Sequence, residues 1–266
     1  MNAFALKLLA SACMLIDHAG AVFPDYLPSY FRWIGRISFP VYASLIARGC
    51  VYTKNRLRYM IRLGVFALIS EIPFDLAFGQ YFVPYGDSLL YVNFLQHTNV
   101  FYTLFLGVAS VNVYEKVRQL RFLPAAPMLH RILALLPAVL VCLLGDLLTT
   151  DYGAFGILLI FVLYLARSKW AHFFVLLCGV TVLYGGDLFY VVTNLGFGAL
   201  LDPLLRPQIL TVCMFLLFAV FAVFCVLLYN GRQGPRLKWA FYCFYPVHLA
   251  VLAAILILLY PLRFFG

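Results

Sequence analysis

The chain has 266 residues, 65% hydrophobic and only 11% charged, with a net charge of +9. A soluble domain carries about 25% charged and 45–50% apolar residues, so the composition excludes a water-soluble globule and indicates an integral membrane protein. The basic excess does not indicate a nucleic-acid partner, because the basic residues fall in short loops between apolar runs, where membrane topology accounts for them.

The predicted fold is all-α: a polytopic helical bundle forming a single transmembrane domain over residues 1–266, with no polar block long enough to fold separately. A span needs about 20 mostly apolar residues. On that ruler nine appear, at 3–23, 33–52, 63–82, 99–114, 132–149, 153–166, 170–192, 209–229 and 239–260. The fourth to sixth are short or closely joined, which sets a range of eight to ten. The runs lack strand alternation, and backbone groups in lipid must be satisfied internally, so helices are expected.

The first span carries three ionisable groups, Lys7, Asp17 and His18. Such groups cost roughly 2.5–3.5 kcal/mol each in a spanning helix and mark functional sites whose partners lie on other helices. The initial run does not read as a cleaved signal peptide. It has no basic n-region, and Asp17-His18 would interrupt the cleavage region. The second span begins with Arg32 and Arg36, one turn apart, and ends near Arg48; its RISFPVYASLIARG run places Pro40 inside the span. The third carries Glu71 and Asp75 at i,i+4 spacing. His97 and Asn99 open the fourth, after an outer loop at 83–98 with a turn expected at Tyr85, Gly86 and Asp87. Asp146 lies late in the fifth, and DYG at 151–153 reads as a turn into the sixth. Asp187 lies late in the seventh. The segment 194–208, punctuated by Gly and Pro, reads as a re-entrant or interfacial piece. In the ninth, FYCFYPVHL places Pro246 and His248 together. There His248 either lines a cavity or binds the carbonyl that proline frees.

Orientation follows from the loops. Thirteen basic residues lie in the alternate loops 53–62, 115–131, after the sixth span and after the eighth. The positive-inside rule therefore places the N-terminus in the cytoplasm and the C-terminus outside. Trp33, Trp170 and Trp239 each fall at a span edge, where interfacial anchors belong. On this topology Asp17, His18, Glu71 and Asp75 sit in the outer half. Lys7 and Arg48 sit at the inner end, where Arg48, Lys54 and Arg56 could hold a polyphosphate. Lys7 and His18 have ten residues between them and stand about 16 Å apart along a helix. A cation at the inner end suits a phosphate of a cytoplasmic donor. A histidine at the outer end suits a base acting on an outer acceptor. Asp17 points about 100° away from His18, so the expected orienting carboxylate is Glu71 or Asp75, with an Arg36 pairing to Asp17 or Glu71 as the structural alternative. The seven cysteines show no CxxC and no Cys/His metal spacing, so neither disulfides nor a metal site is expected.

Several of these runs together resemble one family. KLLASACMLIDHAGAVF, RWIGRISFPVYASLIARGCVYTKNRLRYMIRL, ALISEIPFDLAF, NVFYTLFLG, DYGAFGILLI and KWAFYCFYPVHL look, in order and spacing, like the TraX membrane acetyltransferases of the bacterial inner membrane. The Lys7-x10-His18 spacing also resembles the signature of acyltransferase family 3, and the heparan glucosaminide acetyltransferases are similar. The resemblance implies acetyl-CoA as cytoplasmic acyl donor and an extracytoplasmic acceptor, a pilin-like protein or a glycan. It implies His18 as general base, with Asp17, Glu71 and Asp75 beside it, and Lys7, Arg36, Arg48, Asn99 and His248 as substrate- or cofactor-binding residues. Arg36 or Asn99 is then expected to polarise the thioester carbonyl. Two other classes fit the residues without the resemblance. A proton-coupled transporter would use the same intramembrane Asp, Glu and His set, although no internal repeat is visible. A non-catalytic chaperone for a pilin-like protein would need only a folded bundle.

Overall fold

The computed structural model describes residues 1–78, 82–85, 88–92, 97–120, 127–235 and 237–259. Helices run over α1 (Ala3–Val22), α2 (Tyr30–Gly35), α3 (Ser38–Tyr52), α4 (Arg56–Ala77), α5 (Val100–Gln119), α6 (Pro127–Leu133), α7 (Leu135–Leu147), α8 (Gly153–Leu165), α9 (Lys169–Leu195), α10 (Arg206–Leu227) and α11 (Lys238–Leu259). Most of each of the nine apolar runs, among the described residues, is helical. Five stretches among the described residues are long and apolar enough to cross a membrane: Ala3–Val22, Met128–Leu147, Lys169–Leu195, Arg206–Leu227 and Lys238–Leu259.

Helix boundaries depart from the apolar runs where a capping residue decides. Asn55 accepts from the Arg58 N–H at 2.9 Å, so α4 starts at Arg56, and most of the basic segment expected as a loop at 53–62 forms its first two turns. At the other end α4 stops at Ala77. Asn99 caps α5 through Phe101 N–H at 3.0 Å. That helix continues to Gln119, so Glu115, Lys116 and Arg118 are helical rather than loop. The expected second span is broken at Arg36 and Ile37. Pro40 therefore does not kink a helix. It sits in the first turn of α3, where its missing N–H has no helical acceptor to lose. Pro73 and Pro246 do lie inside helices, α4 and α11.

Between α4 and α5 the chain forms an antiparallel pair, β1 (Phe82–Tyr85) and β2 (Ser88–Val92), with Tyr85 opposite Ser88. The expected turn residues Gly86 and Asp87 lie outside the described residues. After α9, Gly196 at φ +79° ends the helix, a left-handed conformation that costs glycine little. A 3₁₀ turn over Phe197–Leu201 follows.

The chain divides into two compact units. The first comprises Met1–Leu45 and Ala166–Phe241. In it α1 packs on α2, α10 on α2, and α9 on α10. Short polar contacts join its helices. Ser38 Oγ donates to the Ala10 carbonyl at 2.8 Å, Ser11 and Tyr42 hydroxyls meet at 2.7 Å, and Ser44 Oγ lies 2.8 Å from His172 Nε2.

The second unit comprises Ile46–Leu165 and Tyr242–Gly266. Here α5 is central, packed on α4, α7 and α8. Gly107 of α5 abuts Ile160, and Gly145 of α7 abuts Ile157 and Gly153, so a side chain at either glycine would collide. Along α7 the small residues Ala138, Cys142 and Gly145 are buried, while Leu136, Leu140, Leu143 and Leu147 are exposed. Large apolar residues outside and small ones inside is the arrangement of helices that pack closely while facing lipid.

Candidate functional site

In the first unit, α1 carries Lys7, Asp17 and His18. Its start is tied down by the segment between α10 and α11. The Met1 ammonium donates to the Leu228 carbonyl at 2.6 Å. Ala3 and Phe4 N–H groups donate to Arg232 and Gln233 carbonyls at 2.9 and 3.1 Å. Lys7 follows, its Nζ 5.6 Å from the centre of the Phe241 ring. No carboxylate pairs with it among the described residues. An aromatic face replaces an anion only in part, so Lys7 keeps the capacity to hold one.

Asp17 lies more than two turns further on and is fully engaged. Arg32 Nη1 donates to Oδ1 at 2.6 Å, and Arg36 Nη2 donates to both carboxylate oxygens at 2.9 and 3.0 Å. Gly35 packs so closely on the Asp17 side chain that no Cβ fits between them. Arg36 in turn stacks 4.8 Å from the centre of Phe215 and 5.9 Å from that of Tyr184. One carboxylate between two guanidiniums leaves the cluster positive. The pairing of Asp17 with Arg36, the structural alternative in the sequence, is thus present and extended by Arg32. His18, next along α1, is buried at 9% exposure. It does not face lipid.

In the second unit the polar residues gather around the start of α5. Asn99 donates its side-chain Nδ2 to the Ala67 carbonyl at 2.8 Å and to Glu71 Oε2. Its backbone N–H also reaches that oxygen, at 3.3 Å. With Oδ1 capping α5, the Asn99 side chain has no N–H left for a substrate carbonyl. The other oxygen, Glu71 Oε1, has no partner among the described residues, nor do Asp75 Oδ2 and Ser70 Oγ. All three residues are buried. Buried polar atoms are seldom left unsatisfied, so this part of α4 is set up to receive hydrogen-bond donors or protons. Pro73 lies between the two acids.

His97 borders the same acids. Its Nε2 is 3.3 Å from Asp151 Oδ1, and its ring lies 6.0 Å from that of Phe74. The hydrogen bond to Asp151 raises its pKa, opposed by burial and aided by the charges of Asp151, Glu71 and Asp75. Asp151 belongs to the turn between α7 and α8, and it serves more than the chain reversal. Thr98 bridges to Thr150, with Thr98 N–H donating to the Thr149 carbonyl at 3.0 Å and Asp151 N–H to the Thr98 carbonyl at 3.1 Å. Asp146 is structural, accepting from the Ala154 N–H at 2.6 Å to start α8. Asp187 is exposed on α9.

His248 of α11 is buried, with Nδ1 2.8 Å from the Phe244 carbonyl. That is not the carbonyl which Pro246 frees, since proline deprives Tyr242 of its partner. Tyr245, on the same helix, packs edge-on against Phe101 of α5 with ring centres 5.0 Å apart.

At the other end of the second unit, Arg56 is occupied. It donates to Tyr164 OH at 3.3 Å and lies 3.9 Å from Glu115, which Arg118 also engages at 2.9 Å. Tyr164 OH donates to Glu115 Oε1 at 2.9 Å. Arg48, on α3, is half-buried. Sequence reasoning missed Glu115, because it was taken as the first residue of a loop; a carboxylate directly before Lys116 and Arg118 was the available signal. It also missed the buried Ser44–His172 contact, which residue spacing does not reveal.

Residues of the first unit (Lys7, Asp17, His18, Arg36) and of the second (Arg48, Glu71, Asp75, Asn99, His248) thus form two separately described sets. No group of three or more His, Cys, Asp or Glu among the described residues is arranged to hold a metal ion. No solved structure matches the chain. Among curated proteins it is similar to a probable fimbrial assembly protein FimC, serogroup H1, of Dichelobacter nodosus, at 28% identity with 95% of both chains covered. The family described as TraX protein matches residues 3–256, nearly the whole chain. The chain belongs to the TraX family.

Proposed function

We propose that the protein is a transmembrane acetyltransferase of the bacterial inner membrane, moving acetyl from cytoplasmic acetyl-CoA to an amine or hydroxyl on the far side. The observation that carries this reading lies on one helix. α1 holds a cation with no carboxylate partner among the described residues, Lys7, and a buried histidine, His18, about 16 Å apart at 1.5 Å per residue. Lys7 neutralises a phosphate of the donor. His18 takes the acceptor's proton as its nitrogen or oxygen attacks the thioester carbonyl. The C–S bond then breaks, and His18 returns the proton to the departing sulfur. Arg36, stacked and positive, is the nearer candidate for stabilising the developing oxyanion, because the Asn99 side-chain N–H groups are spent within the fold. The topology follows the basic loops: N-terminus in the cytoplasm, nine spans, C-terminus outside.

The acceptor reading draws on membership of the TraX family and on the fimbrial-assembly name of the similar protein. Both favour a pilin-like protein over a glycan. The test is turnover of acetyl-CoA by purified protein with a peptide bearing the pilin N-terminus. His18→Ala is expected to lose at least about a hundredfold in rate, and Lys7→Met to weaken acetyl-CoA binding. Full activity in His18→Ala, or no acetyl-CoA binding by the native chain, contradicts the reading.

The unpartnered oxygens of Glu71 and Asp75 favour one second reading, a proton-coupled transporter. Proteoliposomes that couple solute movement to a proton gradient, with no affinity for acetyl-CoA, would establish it instead.

A further inference from the structure

Lys7 and His18 share more than a helix. Ser11 stands one turn beyond Lys7, and Met14 stands one turn beyond Ser11 and one before His18. At 3.6 residues per turn these four positions fall within about 60° of one another and form one stripe along α1. Ser11, Met14 and His18 are all buried. Ser11 Oγ lies 2.7 Å from the hydroxyl of Tyr42 on α3. The pair is held in place by its neighbours, since Ser38, one turn before Tyr42, closes on the Ala10 carbonyl at 2.8 Å. Ser38 also shows what a hydroxyl does when it only joins two helices: it donates to a backbone carbonyl and its hydrogen is spent. The Ser11–Tyr42 pair is different. Two hydroxyls carry two hydrogens, and the bond between them uses one. The second hydrogen and the remaining lone pairs meet no partner among the described residues. Buried polar groups are seldom left short of partners. A spare O–H beside a spare oxygen is the complement of an amide, which presents one carbonyl oxygen and one N–H.

We propose that the Ser11–Tyr42 pair is a subsite for an amide in the arm of the acyl donor, and so gauges how far the donor enters. This rests on the acetyltransferase reading, in which a donor phosphate meets Lys7 and the thioester carbonyl meets His18. The lengths agree. The arm of acetyl-CoA runs about fourteen bonds from the thioester carbonyl carbon to the nearer phosphorus, and an extended chain advances about 3.3–3.6 Å for every three bonds, so it covers about 16 Å. Lys7 and His18 stand about 16 Å apart on α1. The amide that joins the pantoyl and β-alanine units begins about eight bonds from the same carbon, roughly 9–10 Å away. Ser11 precedes His18 by about 10.5 Å of helix. The amide nearer the thioester falls about 5 Å from that carbon, level with Met14, whose thioether is only a weak acceptor. The hydroxyl pair therefore meets the pantoyl amide: one hydroxyl donates to its carbonyl, and the other accepts from its N–H.

The test measures binding of two ligands to the purified protein: coenzyme A, and an analogue in which that amide is replaced by two methylenes. Ser11→Ala/Tyr42→Phe removes both hydroxyls together. Exchanging both partners of a hydrogen bond for apolar groups of similar shape costs little stability, and a pair that only joined helices would leave ligand preference unchanged. The native protein is expected to prefer coenzyme A over the analogue by about tenfold more than the double variant does. Equal preference in the two proteins overturns the proposal and leaves the acetyltransferase reading standing. Should the double variant fail to fold, the native protein decides alone. Coenzyme A carrying a diazirine beside the pantoyl amide is irradiated in the complex, and mass spectrometry locates the adduct. The adduct is expected within one turn of Ser11 on α1 or of Tyr42 on α3, and adducts confined to other helices overturn the proposal. Native protein that binds neither ligand overturns the acetyltransferase reading itself, and this subsite with it.

Discussion

At the scale of single residues, Asp17 and His97 allow the sharpest predictions. Asp17 holds two guanidiniums, and Arg36 also stacks over Phe215 and Tyr184. Replacing Asp17 by asparagine removes the carboxylate that both guanidiniums engage. Such a loss costs about 3 kcal/mol for a fully buried pair. Arg32 is partly exposed, so a loss of about 2 kcal/mol is expected, read as a lower unfolding temperature in detergent. His97 gives a pH dependence whose sign is fixed. Its pKa is raised above the ordinary value of 6.5, chiefly by Asp151. The link it makes is therefore fully present below pH 6.5 and is lost as pH rises through the raised value. Thermal stability of the native protein should fall across that window, and His97→Asn should remove this slope. A slope of opposite sign would show that Asp151 is not its controlling partner. Much at this scale was legible from spacing: the burial of His18, the pairing of Asp17 with Arg36 and the half-buried cation at Lys7. The pairing of Ser44 with His172 was not, because it joins residues 128 apart and depends on how α3 meets α9.

At the scale of elements, hydropathy found helices and polar side chains set their ends. The apolar runs locate the cores of α1, α5 and α8–α11 to within a few residues. They fail where amphipathic turns extend a helix beyond lipid. Asn55 starts α4 well before its apolar run, and α5 outlasts its own, because capping energy and side-chain pairing do not register in hydropathy. Pro40 illustrates the complementary error: the same residue breaks a helix interior or begins a helix, according to its distance from the nearest end. The antiparallel pair of β1 and β2 was legible only as a turn. Its strands are too short to show alternation against an apolar background. The central position of α5 gives a packing prediction. Gly107→Leu would drive a side chain into Ile160, and overpacking of this kind costs about 1–3 kcal/mol. Gly186, which has open space around it, should tolerate alanine with little change. Comparing unfolding temperatures of the two variants checks the assignment. Equal effects would place α8 elsewhere.

At the scale of the whole molecule, composition and loop charge do most of the work. An apolar chain with its basic residues in alternate loops has one favoured orientation. In a background without the seven native cysteines, a cysteine at position 25 should react with an impermeant thiol reagent added outside. One at position 54 should react only after the membrane is opened. The reverse pattern would invert the proposed topology. The acyltransferase reading then demands that donor and acceptor occupy opposite sides of one bilayer, which α1 supplies through Lys7 and His18. The most direct measurement reconstitutes the protein in sealed vesicles, with the pilin-derived peptide trapped inside and labelled acetyl-CoA added only outside. The account predicts that the trapped peptide gains labelled acetyl with native protein and gains none with His18→Ala. Peptide that stays unlabelled with native protein, or that is labelled equally with His18→Ala, would contradict it.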